Sequence, residues 1–434
     1  MRPLVLHPIF SERATYARYL EVEIALARVQ AGLGVIPKAA AEAIASNLTV
    51  DKLDFDRLNA DMETVGFPIV GLTRQIVEIV PEDHGQYAHW GTTTQDIMDT
   101  GLVLALREVM DQLDALLKVG IAGFAKLAEE HSETLIAGRS QLQHAVPVTL
   151  GYKLAGWALA LHRQRERLQS MRADVLQVQF GGAVGTLAAL HPHGTEVRAG
   201  LAKSLDINDP RYCWHTHRDS IANFISALGV LCGSFAKIAT DIAYMAQTEV
   251  AEVSEPTLKG RGTSTAMPNK RNPVLSQQIL VAARAVRGAV PMMLEAMAQD
   301  HERGTGTWQS EWTLIPEACS HCLNAATNIT ELASDLQIHK DRMAANAALS
   351  DGFIYAEAVM MALAASVGRQ HAHDLVEEAV EKALGGIPFA EALMNDPDVS
   401  RTLSKKDIAR IFTGETHMEA GRVATQDMLS RLDL

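Results

Sequence analysis

Apolar positions recur every three or four residues through most of the chain. Leu106, Val109, Leu113, Leu116, Gly120, Phe124 and Leu127 form one such series, and Leu154, Trp157, Leu161, Leu168, Met171 and Val175 form a second with one gap. A period near 3.6 puts each series on one helix face, and series this long predict helices packed along their lengths. Residues 220–250 are apolar on most faces, as in a helix buried all round. Runs that alternate with period two and carry β-branched residues are hard to find, which disfavours sandwiches, barrels and doubly wound sheets. The expected fold class is all-α. No repeat is visible, and no Pro/Gly/Ser linker separates independent halves.

Three polar, Gly/Thr/Ser-rich segments interrupt the helical pattern: HWGTTTQDIMDT (89–100), GRSQLQHAVP (138–147) and GRGTSTAMPNKRNP (260–273). Each sits beside a long helix. A helix of ~30 residues spans ~45 Å, so segments flanking successive long helices can lie at opposite ends of one subunit. If all three serve one site, neighbouring subunits have to bring them together, and an oligomer is expected.

Composition narrows the class. Of 434 residues, 47% are hydrophobic and 21% charged, ordinary globular values that exclude collagen, mucin and disordered tails. Lys plus Arg number 39 against 52 Asp plus Glu, a net charge of -13, with no basic run to track phosphates, so nucleic acid is not an expected partner. The start of the chain has no signal-peptide pattern. The longest uncharged stretch, 220–236, is shorter than the ~20 residues a spanning helix needs, so a buried helix and no membrane are expected. Four cysteines make no disulfide scaffold, and a reducing cytoplasm is the expected location. Cys319 and Cys322 form a CxxC whose flanks look helical, which reads as core thiols.

The third segment is richest in chemistry. Gly260 and Gly262 bracket Arg261 and lead into Thr263, Ser264 and Thr265, a run suited to a mobile loop. A hydroxyl, the Lys270 ammonium and the Asn272 amide within nine positions suit a carboxylate-bearing substrate. A solvated basic turn before a helix start at Pro273 explains the same residues. Neither this segment nor QFGGAVGT (179–186) has the spacing of a phosphate loop. In the first segment Thr92, Thr93, Thr94, Gln95, Asp96, Asp99 and Thr100 cluster next to His89; Thr93 or Thr94 can cap the following helix, and a helix N-terminus is also a carboxylate site. In the second, Arg139, Ser140, Gln141, Gln143 and His144 read as a polar turn opening the helix that holds Lys153 and Trp157, with His144 a buried, satisfied histidine.

Ser264-Thr265-Ala266-Met267-Pro268-Asn269-Lys270-Arg271-Asn272-Pro273 resembles the SSxMPxKxNP signature of the fumarase/aspartase superfamily, and the other two segments resemble that superfamily's first and second regions in order and spacing. The likeness continues through VQFGGAVGTLAAL, CWHTHRD, QTEVAEVSEP, DHERGTGTWQSEW and GRQHAHDLV, and is greatest to the 3-carboxy-cis,cis-muconate lactonizing enzymes, or cycloisomerases, and an adjoining adenylosuccinate-lyase-like group. It implies a three-part helical fold: an N-terminal domain 1–100, a central long-helix bundle 101–340 carrying the signature loop, and a C-terminal domain 341–434. It further implies a homotetramer with active sites built from three chains. The implied chemistry is anti β-elimination, or its reverse, on a di- or tricarboxylate through an aci-carboxylate carbanion, with no metal or cofactor. Ser264 matches the loop base, Lys270 and Asn272 the carboxylate holders, and Thr93, Thr94 and Gln95 the first-region cluster. Arg139, Ser140, Gln141 and Arg218 join the expected substrate contacts.

Two departures bear on mechanism. The usual GRTH histidine is replaced by Gln141, and the glutamate that orients a histidine in many lyases is Gln277 here. Proton donors must then be sought among His89, His144, His215, His217 and His301, with His89 and His144 carried as catalytic candidates. Neutral Gln141 tilts the expectation toward chemistry whose leaving group is a carboxylate. The alternatives are an adenylosuccinate-lyase-like carbon–nitrogen lyase releasing fumarate, or a non-catalytic relative.

Overall fold

A computed structural model describes residues 6–258 and 260–432, and helices carry most of them. Among the described residues six helices have 21 residues or more: Thr94–Glu130, Leu150–Ser170, Asp219–Met245, Val274–Glu295, Thr307–Asp335 and Glu12–Gly32. The first contains the whole Leu106–Leu127 series and the second most of the series from Leu154, so the all-α expectation holds at the level of fold class.

The chain divides into two compact units. One comprises Met1–Ala115, Gln164–Gly233 and Val281–Ala326; the other comprises Leu116–Arg163, Ser234–Leu280 and Thr327–Leu434. In the first, Glu12–Gly32 starts where the Ser11 hydroxyl accepts the Ala14 N–H (3.3 Å), an N-cap that satisfies one of the helix's orphan donors. Its apolar face packs with those of Lys38–Asn47, Pro68–Ile79 and Gly194–Ser204 around Leu26, Ile44, Ile69, Leu72, Ile76, Ile97 and Leu201, all almost wholly buried. In the second unit, Ala356–Val367, Arg369–Leu384 and Phe389–Met394 close over Val359, Leu363, Phe389 and Leu393.

Two short antiparallel strand pairs depart from the all-helical reading. Segment 138–147 is not a turn opening a helix: Leu135–Ser140 pairs with Gln143–Thr149 as a hairpin, and the next helix starts at Leu150. Its two-residue turn is Gln141-Leu142, with φ of 52° and 66°, the left-handed pair whose twist matches that of the strands. Neither residue is the Asn or Gly that usually signals such a turn, so the pattern gave no warning. The second pair is only Val253–Ser254 with Gln337–Ile338.

The apolar stretch at 220–236 is part of a 27-residue helix, Asp219–Met245, long and apolar enough to cross a membrane by length and composition. Most of its apolar window, 61%, is buried inside the protein, which is how a core helix reaches that hydropathy. Cys319 and Cys322 lie on Thr307–Asp335 and are fully buried, as core thiols; burial pushes the Cys319 thiol well above its ordinary range.

Phe124, fully buried, meets Trp157 edge-on at 5.5 Å between ring centroids, a contact that ties Thr94–Glu130 to Leu150–Ser170. Phe124→Ala should cost about 3–5 kcal/mol, measured as a lower urea midpoint. A midpoint within error of wild type would show that this contact does not hold the two helices.

Candidate active site

In the first unit the polar residues of 89–100 are organised around Asp96. Thr94 is the first residue of its helix, so Thr93 is the cap, and the Asp96 carboxylate reaches back to the Thr93 N–H (3.1 Å) and the Thr92 hydroxyl (3.1 Å). An acid three positions after the cap satisfies an orphan amide and lies at the positive end of the helix dipole. The same carboxylate accepts the N–H groups of Gly181 and Gly182, each at 2.9 Å, and lies 2.8 Å from Nε2 of His215. Asp96 is 0% exposed, a burial that only such a set of donors makes tolerable. A Cβ on Gly181 would stand 2.4 Å from the Cys213 sulfur, so this position requires glycine. The glycine loop thus cradles a carboxylate of its own chain.

A second buried network adjoins it. Arg218 donates from both terminal nitrogens to Asp99 (2.8 and 3.1 Å) and from Nε to Glu311 (3.0 Å), with its guanidinium 4.8 Å from the Trp214 ring centre. Asp99 also takes the Trp308 indole N–H (3.1 Å) and the Gln95 amide (3.1 Å), and Gln95 donates again to the His215 carbonyl (3.0 Å). Arg218 and Gln95 were expected to meet substrate. Their side chains are instead buried, 1% exposed each, with their donors on these partners, so they position neighbouring groups. A guanidinium between two buried carboxylates cannot leave them without stranding uncompensated charge.

Thr93 and Thr94 are half-buried. The Thr93 hydroxyl accepts from Arg303 Nη1 (2.9 Å), a cation that the sequence offers, with Arg218 and Arg261, only as a weak phosphate contact; it lies in the glycine-threonine segment DHERGTGTW. His89, at φ 54°, is held by Glu23: its N–H donates at 3.0 Å and its ring Nδ1 lies 2.7 Å from a carboxylate oxygen. Burial pulls the ring's pKa down, but the charge and hydrogen bond of Glu23, helped by Asp96, outweigh it and hold His89 above the ordinary histidine value. Glu23, 0% exposed in mid-helix among Val22, Ala25 and Leu26, was missed; a lone acid on an apolar face was its only signal. His217 is exposed with its ring against Tyr212, and His301 is exposed at φ 46°.

The second unit carries the other candidates. Ser264, half-buried, accepts on Oγ the N–H groups of Met267 (3.1 Å) and Ala266 (3.3 Å). The loop is closed at its base, where the Gly262 carbonyl accepts both the Asn272 N–H (2.9 Å) and the Asn272 side-chain amide (3.2 Å). Gly262 sits at φ 69°, and a Cβ there would be 2.6 Å from the Asn272 carbonyl oxygen, so no other residue fits. Arg261 pairs with Glu331 on one side. On the other, Glu255 caps Val274–Glu295 through the N–H groups of Leu275 (2.9 Å) and Ser276 (2.8 Å). Lys270 and Gln277 are exposed.

Ser140, Gln141 and His144 are exposed at the hairpin tip, so His144 is not the buried, satisfied histidine expected; it pairs across the ladder with Arg139. Arg139 binds Glu252 in a fork, at 2.9 and 2.6 Å, and Glu252 is 0% exposed with the Asn346 amide also on it (2.9 Å). Arg139 therefore anchors the hairpin.

Residues 5–288 match a family model described as Lyase, and residues 352–426 match one described as Adenylosuccinate lyase C-terminus. The chain is 39% identical to a 3-carboxy-cis,cis-muconate cycloisomerase of Bradyrhizobium diazoefficiens, covering 97% of this chain and 94% of that protein. It is 38% identical to trans-aconitate decarboxylase 1 of Mycosarcoma maydis, over 94% of this chain and 83% of that one. The crystal structure of the 3-carboxy-cis,cis-muconate lactonizing enzyme from Pseudomonas putida superposes with a TM-score of 0.92 at 36% identity, covering 98% of this chain and 97% of that one.

His215 gives a pH test of the Asp96 cluster. Burial lowers its pKa, but hydrogen bonds and charge from Asp96 and Cys213 push it up to about 9. A raised folded pKa means that the stability His215 adds is complete below the unfolded value, about 6.5, and is lost as pH rises through about 9. The calorimetric midpoint of the wild type should therefore fall over that interval, and His215→Gln should be less stable at neutral pH with a smaller alkaline fall. An equal fall in both proteins would contradict the assignment.

Proposed function

The chain belongs to the fumarase/aspartase superfamily of lyases, and on that premise we propose that it interconverts a muconate-type tricarboxylate and its lactone. A carboxylate of the substrate adds across a carbon–carbon double bond, or departs from it in reverse, through an aci-carboxylate intermediate. The observation that carries this reading is the pair of loop amides on Ser264 Oγ. A serine hydroxyl is a poor base unless its alkoxide is stabilised, and two aligned N–H donors with Lys270 six residues on supply that stabilisation. Ser264 moves the proton at the carbon alpha to a carboxylate, while Lys270 and Asn272 hold the charge that develops there. Thr93 and Thr94 bind a second carboxylate, with Arg303 on the Thr93 hydroxyl adding positive charge. Hydrogen bonds and Lys270 suffice for this chemistry without a metal or cofactor.

Gln141 and Ser140, at the exposed hairpin tip, hydrogen-bond the substrate. Gln141 cannot protonate a leaving group, and a departing carboxylate needs no acid, because an ordinary carboxyl group ionises with a pKa of about 4. His89, whose pKa Glu23 holds above the ordinary histidine value, is the first candidate for any proton the reaction requires, and His144 the second. The adenylosuccinate-lyase-like alternative draws on the match at 352–426. Against it, Arg218 is buried on Asp99 and Glu311 and Arg261 is paired with Glu331, which leaves Arg303 alone of these three arginines to face a phosphate. The proposal includes a three-part division near residues 100 and 340, a homotetramer whose sites draw segments from neighbouring subunits, and a cytoplasmic location.

Ser264→Ala should lower kcat by ~10³-fold or more while substrate still binds, because the base acts in the transition state; more than a tenth of wild-type kcat would overturn its role. A panel of 3-carboxymuconate, trans-aconitate, adenylosuccinate, argininosuccinate, aspartate and malate, followed by ultraviolet absorbance, should show fastest turnover of carboxymuconate or its lactone. Faster release of an amine would reverse the preference. Mixing inactive Ser264 and Thr94 variants should restore part of the activity through hybrid sites, and a stable, active monomer in light scattering would rule out shared sites.

A further inference from the structure

The cysteine of CWHTHRD has no part in the lactone chemistry, and its surroundings differ from those of the other three. Cys232, Cys319 and Cys322 are buried, whereas Cys213 is partly exposed. Its sulfur accepts the Gln179 side-chain amide N–H at 3.2 Å, and Gln179 is fixed in turn because its oxygen takes the Trp214 N–H (2.8 Å). The sulfur lies over Gly181 and Gly185, where a Cβ would come within 2.4 and 3.3 Å of it, so no side chain stands between it and that loop.

The second observation is the His215 ring. It is 2% exposed and bound through Nε2 to Asp96 at 2.8 Å, while Nδ1 is buried with no hydrogen-bond partner of its own. The group this ring meets besides Asp96 is the Cys213 thiol. A buried imidazole between a carboxylate and a thiol can take the thiol proton on Nδ1 and hold protons on both nitrogens, leaving the sulfur ionised. Burial pushes the Cys213 thiol up, but His215 and the Gln179 amide outweigh it and hold the thiol below its ordinary value. The titratable groups acting on the sulfur are His215 and, behind it, Asp96; Gln179 and the two glycines on its other side are uncharged.

We propose that Cys213 is a nucleophilic site that adds covalently to α,β-unsaturated carboxylic acids, with His215 and Asp96 as its acid–base partners. The thiolate sulfur forms a bond to the β-carbon, the alkene electron pair moves to the α-carbon, and the imidazolium of His215 gives its proton to that carbon and becomes neutral. The product is a thioether with a succinate-like arm, and no oxidant or reductant enters the balance. Arg303, whose Nη1 lies 3.5 Å from the Ala183 carbonyl of the same glycine loop, supplies positive charge for the acid's carboxylate. The site stands on the partly exposed sulfur held by Gln179 and on the buried, unpartnered Nδ1 two residues along the chain; the choice of unsaturated acids rests on the lactone reading, whose substrates belong to that class.

The test uses the whole protein with two kinds of electrophile. Iodoacetamide at pH 7 should label Cys213 ahead of the other cysteines, with a pH–rate midpoint below the ordinary thiol value of about 8.5. Incubation with fumarate or maleate should add one acid per chain, placed at Cys213 by peptide mapping and absent in Cys213→Ser. His215→Gln should slow labelling at pH 7 at least tenfold and return the midpoint to the ordinary value; if that variant does not fold, the wild-type profile decides. An ordinary midpoint, or labelling spread over several cysteines, would overturn the nucleophilic site. Reaction with iodoacetamide but with neither acid would overturn the assignment of its ligands. Turnover of carboxymuconate by unlabelled protein, measured in parallel, keeps failure of the lactone reading distinct from failure of this one.

Discussion

The burial of one carboxylate sets much of the first unit's polar architecture. Asp96 is wholly removed from solvent, and an isolated carboxylate there would cost several kcal/mol or more. The chain meets that cost from three stretches: the helix cap at Thr92 and Thr93, the glycine loop at Gly181 and Gly182, and His215. None of these can move without leaving a donor or an acceptor unpaired. Thr93, Arg303, Cys213 and the start of Thr94–Glu130 are therefore placed around a single carboxylate that is 0% exposed. The Arg218 network with Asp99 and Glu311 extends the constraint, and Gln95 joins the two by donating to both Asp99 and the His215 carbonyl.

The second unit solves a different problem, that of holding an exposed loop in one conformation. Gly262 and Asn272 close its base, and Glu255 caps the helix that follows. The Ser264 hydroxyl then receives two amides of its own loop. Donors of this kind favour the ionised hydroxyl without burying it. The proposed base thus stays at the surface of its loop with two N–H donors on its oxygen.

Much of this was legible in sequence because it is local. Helix periodicity gave the fold class, and SerThr-x-MetPro-x-Lys-x-AsnPro at 264–273 gave the loop, since every member lies within ten positions. What escaped was non-local. Glu23 and His89 are 66 positions apart, and Arg303 and Thr93 are 210 apart, so neither pairing leaves a trace in spacing. Arg218 and Gln95 are buried against partners from distant stretches, and residue type does not say whether a guanidinium faces solvent or two buried acids. The hairpin at 135–149 was missed for another reason: its turn uses Gln141 and Leu142 in a left-handed conformation usually left to Asn and Gly.

The central claim is that a proton is exchanged at the carbon alpha to a carboxylate while a carboxylate oxygen adds to its neighbour. Proton NMR of the product formed from 3-carboxy-cis,cis-muconate in D2O tests this most directly. The account predicts a lactone carrying a single deuterium on the carbon alpha to the carboxylate, on the face opposite the new carbon–oxygen bond. Loss of carbon dioxide in place of ring closure, or a lactone without deuterium at that carbon, would contradict it.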